Sequence, residues 1–337
     1  YEIRNCDWSS DVCSSDLGVG SGSHGRQTGR MLEAIEPVIE REGPDCVLVY
    51  GDTNSTLAGT LAASKLCVPV AHVEAGLRSF NREMPEEINR VIVDHLATHL
   101  FCPTENAVKN LSCEGLMHGV HRVGDVMYDS LTHNLERAKS RTDILSRLQL
   151  EPASYILATI HRAETTRHVK TLRQLVSCLG TLGLPVILPL HPGTKKALEL
   201  DDDHVPLGEV RLVPPVSYHE MLVLEQAARL IVTDSGGVQK EAFLLRVPCV
   251  TLRNETEWVE TVEAGWNRLA GTDPAAVPEA IKASLAQAPQ SPGSPYGVGR
   301  AGEAIVEVLL KKFPTSHLPE ARTDDGKRKK RGRPVLS

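Results

Sequence analysis

The stretch Thr233-Asp234-Ser235-Gly236-Gly237-Val238-Gln239-Lys240-Glu241 has the residue types of an anion site. The apolar run Leu230-Ile231-Val232 before it is long enough for one buried strand, and Ala242-Phe243-Leu244-Leu245 after it continues in helical register. The expectation is strand, glycine turn, helix. Gly236 and Gly237 let the backbone approach a ligand, and the first amides of the helix with its positive dipole end favour negative charge. Glu241, one turn past Gly237, is placed to meet ribose hydroxyls while Ser235 and the glycine amides hold a diphosphate. This predicts a nucleotide-sugar site, although most Ser-Gly-Gly turns taken alone are plain loops.

The elements that position such a site alternate along the chain. Strand Cys46–Tyr50 ends on Gly51-Asp52-Thr53 and is followed by a helix from Leu57 to Lys65. Strand Pro69–Val73 ends on Glu74-Ala75-Gly76-Leu77-Arg78. A loop carries Asn81 to Glu87, with Pro85-Glu86-Glu87 at its end, then a helix runs through Ile88 to Leu96 and a third strand ends at Thr104. Past a polar break at residues 136–153 the pattern restarts: Tyr155–Ile160 ends on His161-Arg162, Pro185–Leu190 ends on His191, and the Ser-Gly-Gly turn follows. Strand–helix–strand repetition predicts an α/β fold of two doubly wound Rossmann-like domains facing a cleft, residues 18–145 and 146–314. Ligands of such sheets gather at the carboxyl ends of strands, where Asp52 and Glu74 fall. An earlier amphipathic helix, Met31–Ile39, contains Pro37, a candidate kink.

Each candidate also has a structural reading. Asp52 suits a helix N-cap ahead of Asn54. Glu86 and Glu87 suit the positive end of a helix dipole. His161 and His191 suit buried structural histidines, and Arg78 and Arg90 suit ion pairs as well as substrate contacts. Glu74, ending an apolar strand, is harder to place structurally, because an unpaired buried carboxylate is costly.

The 337 residues are 41% hydrophobic and contain no apolar run near the length of a membrane helix, which needs about 18 residues. Residues 316–337 carry seven Lys/Arg against three Asp/Glu, so of the formal net charge of −6 the rest of the chain carries −10. General nucleic-acid binding is therefore not expected of the body, and an anionic ligand must be caught locally. The tail 315–337 is expected to be disordered; its basic run 327–333 resembles an AT-hook core around Arg331-Gly332-Arg333, with a solvated tail the ordinary alternative. Eight cysteines lack CxxC spacing, and Cys46, Cys67, Cys102 and Cys249 lie in or beside strand-like runs, which fits free thiols in a reducing, cytoplasmic setting. Residues 1–17 show neither helical nor strand period and no signal-peptide pattern. They resemble a translated sequencing adapter and are set aside from fold reasoning.

Five ordered motifs together resemble the non-hydrolysing UDP-N-acetylglucosamine 2-epimerases: Gly51-Asp52-Thr53, His72 to Arg78, Pro85 to Arg90, His161 to Glu164, and Thr233 to Ala242. The resemblance runs from about Gly18 to about Phe313. It implies a glycosyltransferase-B-type fold, a homodimer, no metal and no redox cofactor. The implied reaction is reversible conversion of UDP-N-acetylglucosamine to UDP-N-acetylmannosamine for surface polysaccharide. By the same resemblance Asp52, Glu74 and Glu86 match the catalytic acids, His161 the residue touching the departing diphosphate, and Ser235, Gly236, Gly237 and Glu241 the UDP-binding turn. The family's opening strand and its Gly-x-Arg-Pro motif are absent, so this chain is expected to be weakly active or inactive. Trp258, where many members carry Arg, and the Ser79-Phe80-Asn81 loop resemble a branch that includes UDP-2,3-diacetamido-2,3-dideoxyglucuronate 2-epimerases. A retaining glycosyltransferase and a non-catalytic nucleotide-sugar binder share the fold and remain alternatives.

Overall fold

The computed structural model describes residues 18–20, 22–166, 168–199, 207–286 and 293–313; residues 1–17 and the basic tail lie outside them. Two parallel sheets form the frame. The first has strands β1 (Val47–Tyr50), β2 (Val70–Val73), β3 (His99–Cys102) and β4 (Val120–Arg122) in sequential order. The second has β5 (Ile156–Thr159), β6 (Val186–Pro189), β7 (Val210–Val213), β8 (Leu230–Thr233), β9 (Cys249–Thr251) and β10 (Asn267–Leu269), ordered β10-β9-β8-β5-β6-β7. The order reverses between β5 and β8, the topological switch at which doubly wound sheets open a crevice. The expected two-sheet α/β architecture is present.

Strand formation follows the run-type pattern. β2, β3, β5 and β8 are buried along their whole length, as parallel strands covered on both faces must be. Helices start where capping allows. The first described helix, α1 (His24–Glu42), runs through Pro37 without ending there, and closes on Gly43 in the left-handed region. Helix α2 (Asn54–Lys65) begins earlier than its apolar pattern suggests because Thr53, not Asp52, is its N-cap, accepting from the Thr56 amide. The capping role open to Asp52 is thus filled by its neighbour.

Separate apolar clusters serve the two sheets, and a third joins them. Ala75, Leu77, Leu100 and Leu111 of the first half pack with Phe243, Trp258 and Tyr296 of the second. The helix α3 (Val126–Arg141) also bridges, through Leu131 and Ala138 against Leu222. The last described helix, α4 (Ala301–Lys312), follows the second sheet in sequence but packs on the first. Its Ile305 packs on Ala71, Val73 and Phe101 of the first sheet, and its first amides bond to Asp129 of α3. By packing it belongs to the N-terminal half. Among the thiols, Cys102 and Cys249 are buried as expected and burial pushes both up to about 12, whereas Cys67 is exposed.

Candidate active site at the domain interface

The carboxyl ends of β1, β2 and β4 deliver three acids to one side of the interface. Parallel pairing sets Tyr50 beside Val73, so the next residues, Gly51 and Glu74, are neighbours; a Cβ on Gly51 would lie 3.4 Å from Glu74 Oε2. Glu74 has φ +77°, a conformation uncommon for a non-glycine residue. The amides of Glu74 and Ala75 both donate to the Phe101 carbonyl at 3.1 Å, which holds the strained turn in place. Gly76 follows with φ +81°, and no side chain fits there, since a Cβ would meet the Ala107 carbonyl at 2.4 Å. Asp125, after β4, caps α3 through a 2.7 Å bond from the Met127 amide.

A lysine from the other half meets two of these acids. Lys240 Nζ lies 2.8 Å from Glu74 Oε1 and 2.7 Å from Asp125 Oδ2, fully buried, with the Trp258 ring centroid 3.9 Å away. Burial raises the Glu74 carboxyl above the ordinary range, the charge of Lys240 opposes that rise, and Asp125 and Asp52 add to it. Lys240 itself is held protonated: burial disfavours its charge, but Glu74 and Asp125 outweigh that. Asp52 pairs instead with Arg90 of the helix α5 (Pro85–Leu96), which also binds Glu87 Oε2 at 2.9 Å. The two adjacent acids of that helix part company here. Glu87 is buried and accepts from the Ser79 amide and hydroxyl and the Phe80 amide, fixing the Ser79-Phe80-Asn81 loop; Glu86 is partly exposed and has no ion pair among the described residues.

A buried network underpins the acids. His72 Nε2 donates to the Gly51 carbonyl at 2.8 Å and its Nδ1 meets Asp94 Oδ1 at 2.7 Å. Asp94 also accepts from the Gly76 amide at 3.0 Å and from Arg78 at 2.7 Å. Burial alone would raise the Asp94 carboxyl, but the bonds and charges of His72 and Arg78 hold it below its ordinary value. Arg78 completes its hydrogen bonds on Glu114, at 2.7 and 2.8 Å, and on the Leu77 carbonyl. At 3% exposure Arg78 ties Asp94, Glu114 and the Leu77 carbonyl together.

The opposite wall is built from the C-terminal half. Ser235 is the N-cap of helix α6 (Gly236–Leu245), its hydroxyl accepting from Val238 at 3.5 Å. The amides of Gly236 and Gly237, at the first two positions, have no partner within the helix. Asp234 is buried and accepts from the amides of His161 and Arg162 at 3.0 to 3.1 Å, which ties the end of β5 to the Ser-Gly-Gly turn. The His161 ring lies partly exposed, 5.7 Å between centroids from His191. Glu257 adds a carboxylate here that sequence reading missed; a Cβ on Gly236 would lie 2.6 Å from its Oε1. Burial would raise Glu257, but Arg253, Arg90 and Arg162 hold it below the ordinary range. The indole Nε1 of Trp258 lies 3.4 Å from the same point.

Glu241, the expected ribose contact, lies one turn past Gly237 in α6. It is 1% exposed, bonded to the Tyr218 hydroxyl at 3.2 Å and set against Glu225, which is fully buried and without an ion pair among the described residues. Burial pushes Glu241 up to about 7, and burial together with Glu241 pushes Glu225 well above the ordinary carboxyl range.

The arrangement therefore brings Glu74, Asp52 and Asp125 to one wall and the Ser235 helix start with His161 to the other, with Lys240 spanning them. Asp125 and Lys240 escaped sequence reading. The signal for Asp125 was available, since it follows β4 as Asp52 follows β1.

Comparison with known proteins gives this geometry a family. A family described as UDP-N-acetylglucosamine 2-epimerase matches residues 10–310, starting inside the segment set aside above. A UDP-N-acetylglucosamine 2-epimerase homolog of Methanococcus maripaludis is 50% identical, over 87% of this chain and 83% of its own. The UDP-2,3-diacetamido-2,3-dideoxy-D-glucuronate 2-epimerase of Pseudomonas aeruginosa is 48% identical, over 88% and 83%. The crystal structure of Methanocaldococcus jannaschii UDP-GlcNAc 2-epimerase in complex with UDP-GlcNAc and UDP superposes with a TM-score of 0.77 at 40% identity, covering 88% of this chain and 87% of that one. With its paired parallel sheets and interface acids, the chain belongs to the UDP-N-acetylglucosamine 2-epimerase family.

Proposed function

We propose that this chain epimerises C2 of UDP-N-acetylglucosamine, reversibly giving UDP-N-acetylmannosamine, by elimination and re-addition of UDP. The observation that carries this reading is the facing of Glu74 and the Ser235 helix start across one interface. A carboxylate removes the C2 proton while the C1–O bond breaks, its electrons leave with UDP, and a C1–C2 double bond forms, giving 2-acetamidoglucal. Reprotonation of C2 from the other face and return of UDP to C1 complete the inversion. Two faces call for two proton-handling groups, or one that reaches both, and Glu74 and Asp52 are the candidates the geometry favours, with Glu86 a third from the exposed first turn of α5. Burial lifts Glu74 toward the range where a carboxyl both accepts and returns a proton.

UDP departs toward the helix start. Fixed dipoles there, the Ser235 hydroxyl and the free amides of Gly236 and Gly237, favour the developing charge, with His161 beside them. Arg90, on this reading, acts by holding Asp52, and His191 by contact with the His161 ring. We place the enzyme in the cytoplasm as a homodimer, as the family resemblance implies. No helix among the described residues is long and apolar enough to cross a membrane.

The test is incubation with UDP-N-acetylglucosamine in heavy water, followed by proton NMR at C2. Deuterium at C2 with a growing manno signal is expected; exchange accumulates with time, so a slow enzyme still registers. Exchange only into the diacetamido-glucuronate substrate would select the second reading, which the 48% identical Pseudomonas relative supports. UDP binding with no exchange into either would leave a binder or transferase.

A further inference from the structure

We propose that Lys240 is the positioning residue of this site: its ammonium, carried across the interface on the UDP-turn helix, fixes the Glu74 carboxylate against Asp125 and sets the charge that Glu74 works with. The inference rests on the reading of Glu74 as a proton-handling group.

Three observations carry it. Lys240 Nζ is fully buried, so it has no solvent to retreat to, and its neighbours are Glu74 Oε1, Asp125 Oδ2 and the Trp258 face. A buried ammonium is tolerated only where charges and dipoles compensate it, which pins this one to a single geometry. Second, the groups facing Glu74 are Lys240, Asp125 and Asp52, and Asp52 is already paired with Arg90. Lys240 is thus the cation that compensates Glu74, one positive charge against two carboxylates. Third, Lys240 lies four residues past Gly236, one turn along the same helix. The element whose first amides face the leaving group therefore also supplies the counter-charge of the acid.

Trp258 belongs to this device. Its indole face receives the ammonium, and such a contact favours a cation where an arginine would crowd it with a second charge.

The experiment is a carboxyl titration by carbon-13 NMR on glutamate-labelled full chain, with the Glu74 signal assigned by its loss in Glu74→Gln. In Lys240→Met the Glu74 midpoint rises by roughly one pH unit or more, since an opposite charge at hydrogen-bond distance is removed. In Asp125→Asn, which retains a helix-capping side chain, it falls, because a like charge is gone and Lys240 turns wholly to Glu74. The acid limb of the pH profile for C2 exchange moves with each midpoint, upward in the first variant and downward in the second. A purely structural lysine would lower stability without opposite displacements. An unmoved midpoint in Lys240→Met overturns the proposal; if that variant does not fold, an unmoved midpoint in Asp125→Asn does so. A parent chain that exchanges no UDP-sugar would count against the epimerase reading, while the titration would still decide the Lys240 bridge.

Discussion

The two halves use the same strand–helix connection but treat two of their buried acid pairs in opposite ways. In the N-terminal half the buried acids have cations: Asp52 has Arg90, Asp94 has Arg78, and Glu74 and Asp125 share Lys240 from the other half. In the C-terminal half Glu225 and Glu241 lie together with no ion pair among the described residues, and burial raises both. The contrast follows from what each wall must do. Proton transfer at carbon needs carboxylates held close to ionisation, whereas receiving a diphosphate is served by dipoles that do not titrate. Beside the Ser-Gly-Gly turn the Glu257 carboxylate is compensated by Arg253 and Arg90, and two neighbouring acids that keep a proton add no further negative charge to oppose the ligand.

The sharpest way to break this contrast is to remove charge from the first wall. Glu74→Gln is expected to reduce C2 exchange by about 10²- to 10⁴-fold, the usual worth of a positioned acid or base, while UDP binding, measured by calorimetry, stays within a few-fold. Exchange near the parent rate would remove Glu74 from the chemistry. The next largest effect is on stability. Asp94→Ala strands Arg78 and the Gly76 amide in a dry environment and should lower unfolding free energy by about 3–5 kcal/mol, read by urea titration. Arg78→Met should behave similarly, and a large loss of substrate affinity with unchanged stability would instead make Arg78 a substrate contact.

Much of this contrast was legible before the structure. The Ser235 turn, Asp52 and Glu74 are local features, each a polar residue at the end of an apolar run, and sequence spacing places them on strand ends without tertiary knowledge. What stayed hidden depends on who meets whom. Lys240 reads as an ordinary helical lysine until the second half brings it to Glu74, 166 positions away. Glu86 and Glu87 are identical by type, and only the path of residues 79–81 decides which is buried. Thr53 displaced Asp52 as a cap because both are suited to it and only one has the required geometry. The last helix crosses back to the first sheet, and no composition change marks that return.

The protonated pair on the second wall supplies a smaller and pH-dependent effect. Glu241 is raised to about 7, so between the ordinary carboxyl range and about 7 the folded chain holds a proton that the unfolded chain has released. The Glu241 contribution to stability therefore falls as pH rises through that window and levels off above it, by about 3 kcal/mol at most for a shift of this size. Glu225→Gln gives Glu241 an amide donor in place of a second acid and should flatten the slope between about pH 5 and about pH 7. Equal slopes for parent and variant, by urea unfolding, would show that the two carboxyls do not share a proton.

The smallest effect separates the helix start from its ligand role. Ser235→Ala removes the cap on Val238 and is expected to cost about 1 kcal/mol of stability. If the turn receives the diphosphate, the same variant also loses a donor that binding uses, so UDP affinity should drop several-fold at a pH where the fold is intact. Glycine serves as the control, since it retains most capping value but no hydroxyl. Ser235→Gly should then nearly restore stability and leave UDP affinity low. Recovery of both together would assign Ser235 to the helix alone, and the anion-receiving wall would reduce to the amides of Gly236 and Gly237.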